Sequence, residues 1–258
     1  MLIKIKREWE LPESAATPES VYWNRRHFLR GLAAGPALLG GAALAAGKAF
    51  AADEVDPSAA LYPAPRNTAY EGDRPLTDEE AATTYNNFYE FGSHKQISKV
   101  AQNLKIRPWT VTIDGTVDKP MSLAIDDLLA KMPLEERVYR HRCVEAWAMT
   151  VPWTGFQLSH LIDLAQPRSD AKYVTMQTFL DKEIAPGQRQ HWYPWPYVEG
   201  LTMAEARNEL SFIATGIYGR PMPKQNGAPL RLAVPWKYGF KHIKSIVRFT
   251  FSATRPKG

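Results

Sequence analysis

The chain predicts an α+β fold, a β-rich mixed single domain with long loops, on three observations. Short runs of alternating large and polar residues recur between positions 109 and 251, most of them ended by Gly, Pro or Asp. No stretch keeps a helical period for long, and no segment repeats. Twenty prolines in 258 residues keep the elements short and the connections long. With 45% hydrophobic and 23% charged residues, the composition suits a single domain with a sizeable core.

Residues 52–83 are rich in Pro, Asp, Glu and Ala without a clear period, which predicts an extended arm or linker ahead of a domain over 84–258. Tyr85 to Phe91 is an aromatic and amide cluster too irregular for a helix face. Trp109 to Ile113 alternates, Asp114-Gly115 offers a turn and Thr116-Val117 resumes, a hairpin pattern. Ser122 is placed to cap a short helix through Leu129, with Ile125, Leu128 and Leu129 on one face. Arg137 to Arg142 predicts a strand running into Cys143. Leu158 to Leu164 predicts a short helix, and Lys172 to Phe179 a strand. A short helical piece, Met203 to Asn208, follows the aromatic loop His191 to Tyr197. Leu230 to Val234 and Ile243 to Phe251 close the chain as strands.

The N-terminus reads as an export signal. Asn24-Arg25-Arg26-His27-Phe28-Leu29-Arg30 precedes an Ala/Gly-rich stretch from Gly31 to Gly47, and Ala49-Phe50-Ala51 offers small residues at signal-peptidase spacing. Paired arginines, a weakly apolar region and Lys48 before the cleavage point predict a twin-arginine signal over 1–51. A membrane anchor is a poorer reading, because the stretch holds Pro36, few leucines and no Ile or Val. The isoelectric point is 9.2. Residues 1–51 hold seven basic and four acidic side chains, and the remainder holds 25 against 23. A nearly neutral mature chain has no basic footprint for nucleic acid.

Cys143 is the single cysteine. In an exported protein an unpaired thiol must be buried, modified or ligated. The histidines His94, His141, His160, His191 and His242 show no metal-ligand spacing, and a blue-copper arrangement is lacking around Cys143. His141 lies two residues from Cys143 on the same strand face, so a Cys-His pair is conceivable, although a polar strand residue is the commoner case. No glycine-rich dinucleotide motif or P-loop occurs. Arg140, Arg142, Arg231, Lys237, Lys241 and Lys244 flank the two most distinctive segments, and Arg suits phosphate. Asn86 and Asn226 offer the donor and acceptor pairs of a heterocycle edge. A lone thiolate can hold a transition metal whose other ligands come from an organic cofactor.

Tyr85 to Phe91, Tyr139 to Trp147, Val151 to Phe156, Pro196 to Leu201, Gln225 to Arg231 and Val234 to Lys241 together resemble the catalytic subunits of periplasmic protein-methionine-sulfoxide reductases, within the sulfite-oxidase-like molybdenum enzymes. The resemblance runs from about Thr84 to Phe251 and includes the twin-arginine signal. It implies the sulfite-oxidase (oxidoreductase molybdopterin-binding) fold. It also implies a molybdenum-molybdopterin cofactor: one mononuclear molybdenum held by Cys143 and by one pterin dithiolene. By the same resemblance Asn86, Tyr89, Glu90, Thr178, Asn226 and Arg231 contact the pterin, and His242, Ile243 and Lys244 hold its phosphate end. The family carries a small residue where His242 stands, so a backbone contact is expected there.

The implied reaction is oxygen-atom transfer from the sulfoxide of an oxidised methionine, which repairs periplasmic proteins. Arg142 is the candidate to stabilise negative charge on that oxygen. Electrons are expected from a membrane haem-binding subunit on the quinone pool, and the chain itself is expected to be a monomeric catalytic subunit using the twin-arginine export machinery. Family members continue some tens of residues past the strand ending near Phe251, whereas this chain stops at Gly258. A sulfite-oxidase-like enzyme, and a cofactor-binding module inactive through loss of that tail, are the alternatives at this stage.

Overall fold

The computed structural model describes residues 56–256; the export signal expected over 1–51 lies outside the described residues. In chain order the strands are β1 (Thr110–Gly115), β2 (Met121–Ala124), β3 (Glu135–Arg142), β4 (Ala148–Gln157), β5 (Tyr173–Thr178), β6 (Val198–Thr202), β7 (Phe212–Ile217), β8 (Arg220–Pro221), β9 (Arg231–Ala233) and β10 (Ile246–Ser252). The helices are short: α1 (Glu79–Thr84), α2 (Ser98–Ala101), α3 (Ile125–Leu129), α4 (Leu158–Ala165) and α5 (Met203–Ala206). No helix among the described residues is long and apolar enough to cross a membrane.

Two five-stranded sheets organise the domain. The first runs β2-β1-β10-β5-β6. Its one parallel pair is β1 with β10, Thr112 standing opposite Arg248. The second runs β3-β4-β7-β8, with β9 also paired to β7, and all its ladders are antiparallel. Two β-sheets, one mixed and one antiparallel, with short helices among the strands, are the α+β arrangement expected. The larger core cluster gathers Val111, Ile113, Phe249 and Phe251 of the first sheet with Ile125 and Leu128 of α3 and Leu161 and Ile162 of α4. A smaller cluster joins Tyr139, Val151, Trp153 and Phe212 of the second sheet.

Several local expectations shift. Ser122 does not cap a helix. It lies in β2 opposite Thr112, their hydroxyls 3.3 Å apart, and α3 begins three residues later without a side-chain cap. There the Ile125 N–H donates to the Trp109 carbonyl at 2.9 Å, so a tertiary contact replaces the cap. The expected turn at Asp114-Gly115 does not form: Gly115 stays within β1, and the strand that pairs with β1 is β2, beyond Thr116-Val117. At φ +84° a Cβ on Gly115 would stand 2.1 Å from the Phe251 carbonyl oxygen, so close approach of β10 demands the glycine. Strands β4, β6 and β7 were not anticipated. β4 carries a proline at 152, and β7 is buried along its whole length, so it shows no alternation.

Residues 56–78 are tied down against the second sheet. The Glu136 N–H donates to the Pro65 carbonyl and the Val138 N–H to that of Tyr70, both along the open edge of β3. The Tyr62 hydroxyl reaches the Thr215 carbonyl at 2.8 Å, and Arg66 pairs with Glu136 at 2.7 Å. The segment thus covers an edge that would otherwise offer unpaired backbone groups.

Candidate functional site

Four loop segments and the end of β3 enclose one cavity. Residues 85–90, Cys143 to Trp147, Gln225 to Arg231 and Gly239 to Lys244 all contribute to its wall. Its mouth is open to solvent, and Tyr197 and Met149 complete the wall. The strand alternation of β3 explains what faces inward. Tyr139, His141 and Cys143 are buried, while Arg142 between them is exposed.

Cys143 opens a tight turn: its N–H donates to the Trp147 carbonyl at 2.9 Å, and the Ala146 N–H donates back to the Cys143 carbonyl at 3.2 Å. Ala146 takes φ +64° within that turn. The thiol is free, and two N–H groups aim at its sulfur, Asn87 Nδ2 and the Glu145 backbone, each at 3.5 Å. Both contacts leave the sulfur facing the cavity, where a metal could reach it. Behind them Lys95 holds the Asn87 oxygen and the Glu145 carboxylate. The hydrogen bond from Lys95, with help from Trp147, holds the Glu145 carboxyl below its ordinary range.

The rest of the wall is polar, buried and unevenly charged. Arg231 is 2% exposed and donates from Nη1 to the Asn226 carbonyl at 2.7 Å and from Nη2 to that of His242 at 3.3 Å. Burial pushes its guanidinium down to about 9. Burial, followed by the Arg231 charge, pushes Lys244 down to about 7. Burial raises the Glu90 carboxyl, against the pull of Lys244. The rings of His141 and His242 lie 4.6 Å apart, edge to face. Burial first and the nearby cations next hold His141 well below its ordinary range and His242 at about 3, so both are neutral near pH 7.

Five residues of this wall carry buried polar atoms without a protein partner: Asn86 Oδ1, Asn226 Oδ1, His141 Nδ1, His242 Nδ1 and Arg231 Nε. Both asparagines donate Nδ2 to one carbonyl, that of Ala82, at 3.1 and 3.0 Å, which leaves both acceptor oxygens over. Each unpaired buried group costs about 1–3 kcal/mol, so such a cluster calls for a ligand that both donates and accepts hydrogen bonds and carries negative charge. A pterin ring with a phosphate has that chemistry, and the residues present fit it. Among the described residues no cluster of three or more His, Cys, Asp or Glu could hold a metal ion, so a metal on Cys143 would take its remaining ligands from the cofactor.

Of the residues singled out from the sequence, Asn86, Tyr89, Glu90, Cys143, Asn226, Arg231, His242, Ile243 and Lys244 line this cavity. Two do not. Arg142, expected to stabilise the oxygen, is exposed at the end of β3 and does not line the wall. Thr178 is wholly buried behind the wall; its hydroxyl donates to the Lys244 carbonyl at 2.8 Å and so supports Lys244 from the rear. At position 242 the imidazole lines the cavity and is anchored at 2.9 Å to the Val234 carbonyl, where a backbone contact was expected. Asn87, Glu145, Trp147 and Tyr197 join the wall without having been assigned roles. Asn87 and Glu145 sat inside the quoted motifs, but nothing in their spacing showed that both would turn toward Cys143.

The sequence matches the oxidoreductase molybdopterin-binding domain family over residues 97–258. It is 48% identical over 248 residues to the protein-methionine-sulfoxide reductase catalytic subunit MsrP of Xanthomonas axonopodis pv. citri, covering 96% of this chain and 76% of that protein. It is 47% identical over 247 residues to the protein of the same name from Xanthomonas campestris pv. campestris, covering 95% and 75%. Among solved structures, the sulfane dehydrogenase SoxCD of Paracoccus pantotrophus aligns with 58% of this chain and 40% of its own, at 18% identity and a TM-score of 0.49. With its cysteine, its buried cations and its two asparagines gathered on one cavity, the chain belongs to the oxidoreductase molybdopterin-binding domain family and, within it, to the protein-methionine-sulfoxide reductase catalytic subunits.

Proposed function

We propose that this molybdenum-dependent methionine-sulfoxide reductase holds one mononuclear molybdenum through Cys143 and a single pterin dithiolene, and that it repairs oxidised proteins in the periplasm. The observation that carries the site is the lone buried thiol, approached by two N–H donors, in a wall of unpaired polar atoms. Asn86 and Asn226 would accept from the pterin edge through their free oxygens, beside Tyr89 and Glu90. Arg231 and Lys244 would neutralise its phosphate, with His242 and Ile243 shaping that end and Thr178 bracing Lys244.

When bound, the molybdenum-pterin group supplies a two-electron centre that accepts an oxygen atom. The balance is a sulfoxide plus two electrons and two protons, giving a thioether and water. Glu145, held ionised by Lys95, can take or relay a proton at its carboxylate but does not arrive with one at neutral pH. The half-exposed aromatic side chains Tyr85, Tyr89 and Phe240 at the wall offer an apolar surface to a methionine side chain presented by another protein. Electrons would come from a membrane haem subunit on the quinone pool; the relatives' description as catalytic subunits supports a partner. The paired Arg25-Arg26 and the apolar stretch after them support export by the twin-arginine route, with the cofactor loaded beforehand and the catalytic chain monomeric.

The test is metal analysis of the protein exported with an intact signal, alongside reduction of methionine sulfoxide by a dye donor. One molybdenum and one pterin per chain are expected in the wild type, and Cys143→Ser should lose the metal and all turnover. Full molybdenum retention in Cys143→Ser would overturn the ligand assignment.

A further inference from the structure

Lys95 lies just outside the cavity wall, with its side chain 17% exposed. The Asn86 N–H donates to the Lys95 carbonyl at 3.2 Å, so backbone pairing holds the lysine beside the neighbouring Asn87. The Lys95 ammonium donates to Asn87 Oδ1 and pairs with the Glu145 carboxylate. Asn87 in turn presents Nδ2 to the Cys143 sulfur at 3.5 Å. The two ends of an asparagine amide have nearly the same shape, so packing alone does not choose which end meets the sulfur. An ammonium has three donors and no acceptor, so it can satisfy only the oxygen end. Lys95 therefore turns the amide so that its N–H faces Cys143. Its hold on the Glu145 side chain fixes the turn whose backbone N–H is the second donor on that sulfur.

We infer that Lys95 is a positioning residue for the metal thiolate, selecting the donor end of Asn87 and anchoring Glu145 so that two N–H groups stay on the Cys143 sulfur. The inference rests on the reading that Cys143 carries the metal. N–H donors on a ligating sulfur withdraw electron density from it, and the reduction potential of a thiolate-held centre responds to such bonds. Without the ammonium, nothing pins the Asn87 oxygen or the Glu145 side chain, so both N–H contacts to the sulfur lengthen and weaken. The sulfur then donates more strongly, and the oxidised metal is favoured.

The experiment compares holoenzymes of the wild type, Lys95→Met, Asn87→Ala and the double variant, by metal analysis, film voltammetry of the metal couple and steady-state kinetics. Lys95→Met should keep its molybdenum, show a more negative midpoint potential and lose about ten-fold in kcat with KM little changed, since Lys95 lines no part of the cavity. Asn87→Ala should shift the potential the same way, and the double variant should shift it no further, because the lysine acts through the amide. Lys95→Arg, which also lacks an acceptor, should restore the wild-type potential. If Lys95→Met does not load, Lys95→Gln carries the same test with an intermediate shift expected. A loaded Lys95→Met or Lys95→Gln protein at the wild-type potential would overturn the inference, as would shifts that simply add in the double variant. Absence of molybdenum from the wild type, or its full retention in Cys143→Ser, would instead sink the underlying site assignment.

Discussion

Arg142 and Arg231 bear the same charge and meet different surroundings. Arg142 is exposed, outside the cavity wall, and the structure gives its side chain no ion pair. Arg231 is buried, its guanidinium 5.0 Å from the Trp153 ring, and it ties together the Asn226 and His242 carbonyls. Arg142→Ala should therefore leave molybdenum content and turnover unchanged and stability within about 0.5 kcal/mol. Arg231→Ala should lose the cofactor and destabilise the protein by about 1–3 kcal/mol, since it strands two buried carbonyls. Metal analysis and urea titration of the two variants check this; loss of turnover in a fully loaded Arg142→Ala protein would restore the role expected from the sequence. At this scale residue identity was informative and direction was not. Asn86, Asn226, Cys143 and Arg231 could be named because their chemistry is specific to a cofactor. Whether a strand residue is buried or exposed depends on its register, and Arg142 fell exposed between two buried neighbours.

Among elements, the signal followed exposure. Strand β5 alternates buried and half-buried residues, and its pattern was visible in the sequence. Strand β7 is buried on both sides, paired to β4, β8 and β9, so no period marks it. Strand β4 contains Pro152, which sits opposite Val138 and whose carbonyl accepts from the Tyr218 N–H, a strand tolerating proline where the sequence rule argues against it. The β4–β7 ladder also slips in register between Thr154 and Gly155, where a Cβ on Gly155 would lie 2.0 Å from the Ile213 carbonyl oxygen. Backbone atoms cannot yield as a flexible side chain can. Gly155→Ala should force the two strands apart and lower stability by about 1–3 kcal/mol, read as a fall in thermal midpoint with near-native secondary structure. An unchanged midpoint would show that the two strands can separate there without loss. Sequence could not mark this glycine, because the contact that requires it joins positions far apart in the chain.

For the molecule as a whole, the cavity buries positive charge, Arg231 and Lys244 against the single buried carboxyl of Glu90, and that burial has a pH signature. Lys244 titrates at about 7 in the folded protein, whereas an unfolded lysine holds its proton to about 10.4. Between those values the unfolded chain binds more protons, so the stability of the cofactor-free protein should rise as pH rises from 7 to 10. Arg231, at about 9, adds to the upper part of that climb. Above pH 10 the sign reverses. Burial holds the Tyr62 and Tyr139 hydroxyls at about 12, so the folded protein keeps protons that the unfolded chain has released. Stability should therefore peak near pH 10 in protein produced without the molybdenum-pterin cofactor. Adding Lys244→Met to that background should flatten the climb between pH 7 and 9. In the loaded enzyme, an anionic cofactor group against Lys244 favours its charged form, so the same interval should be nearly flat and cofactor binding should take up a proton there. Urea midpoints at pH 6 to 11 for the three proteins decide it. A slope in the cofactor-free protein that survives Lys244→Met would assign the buried charge elsewhere. A slope as steep in the loaded enzyme would mean that the anionic end of the cofactor does not rest on Lys244.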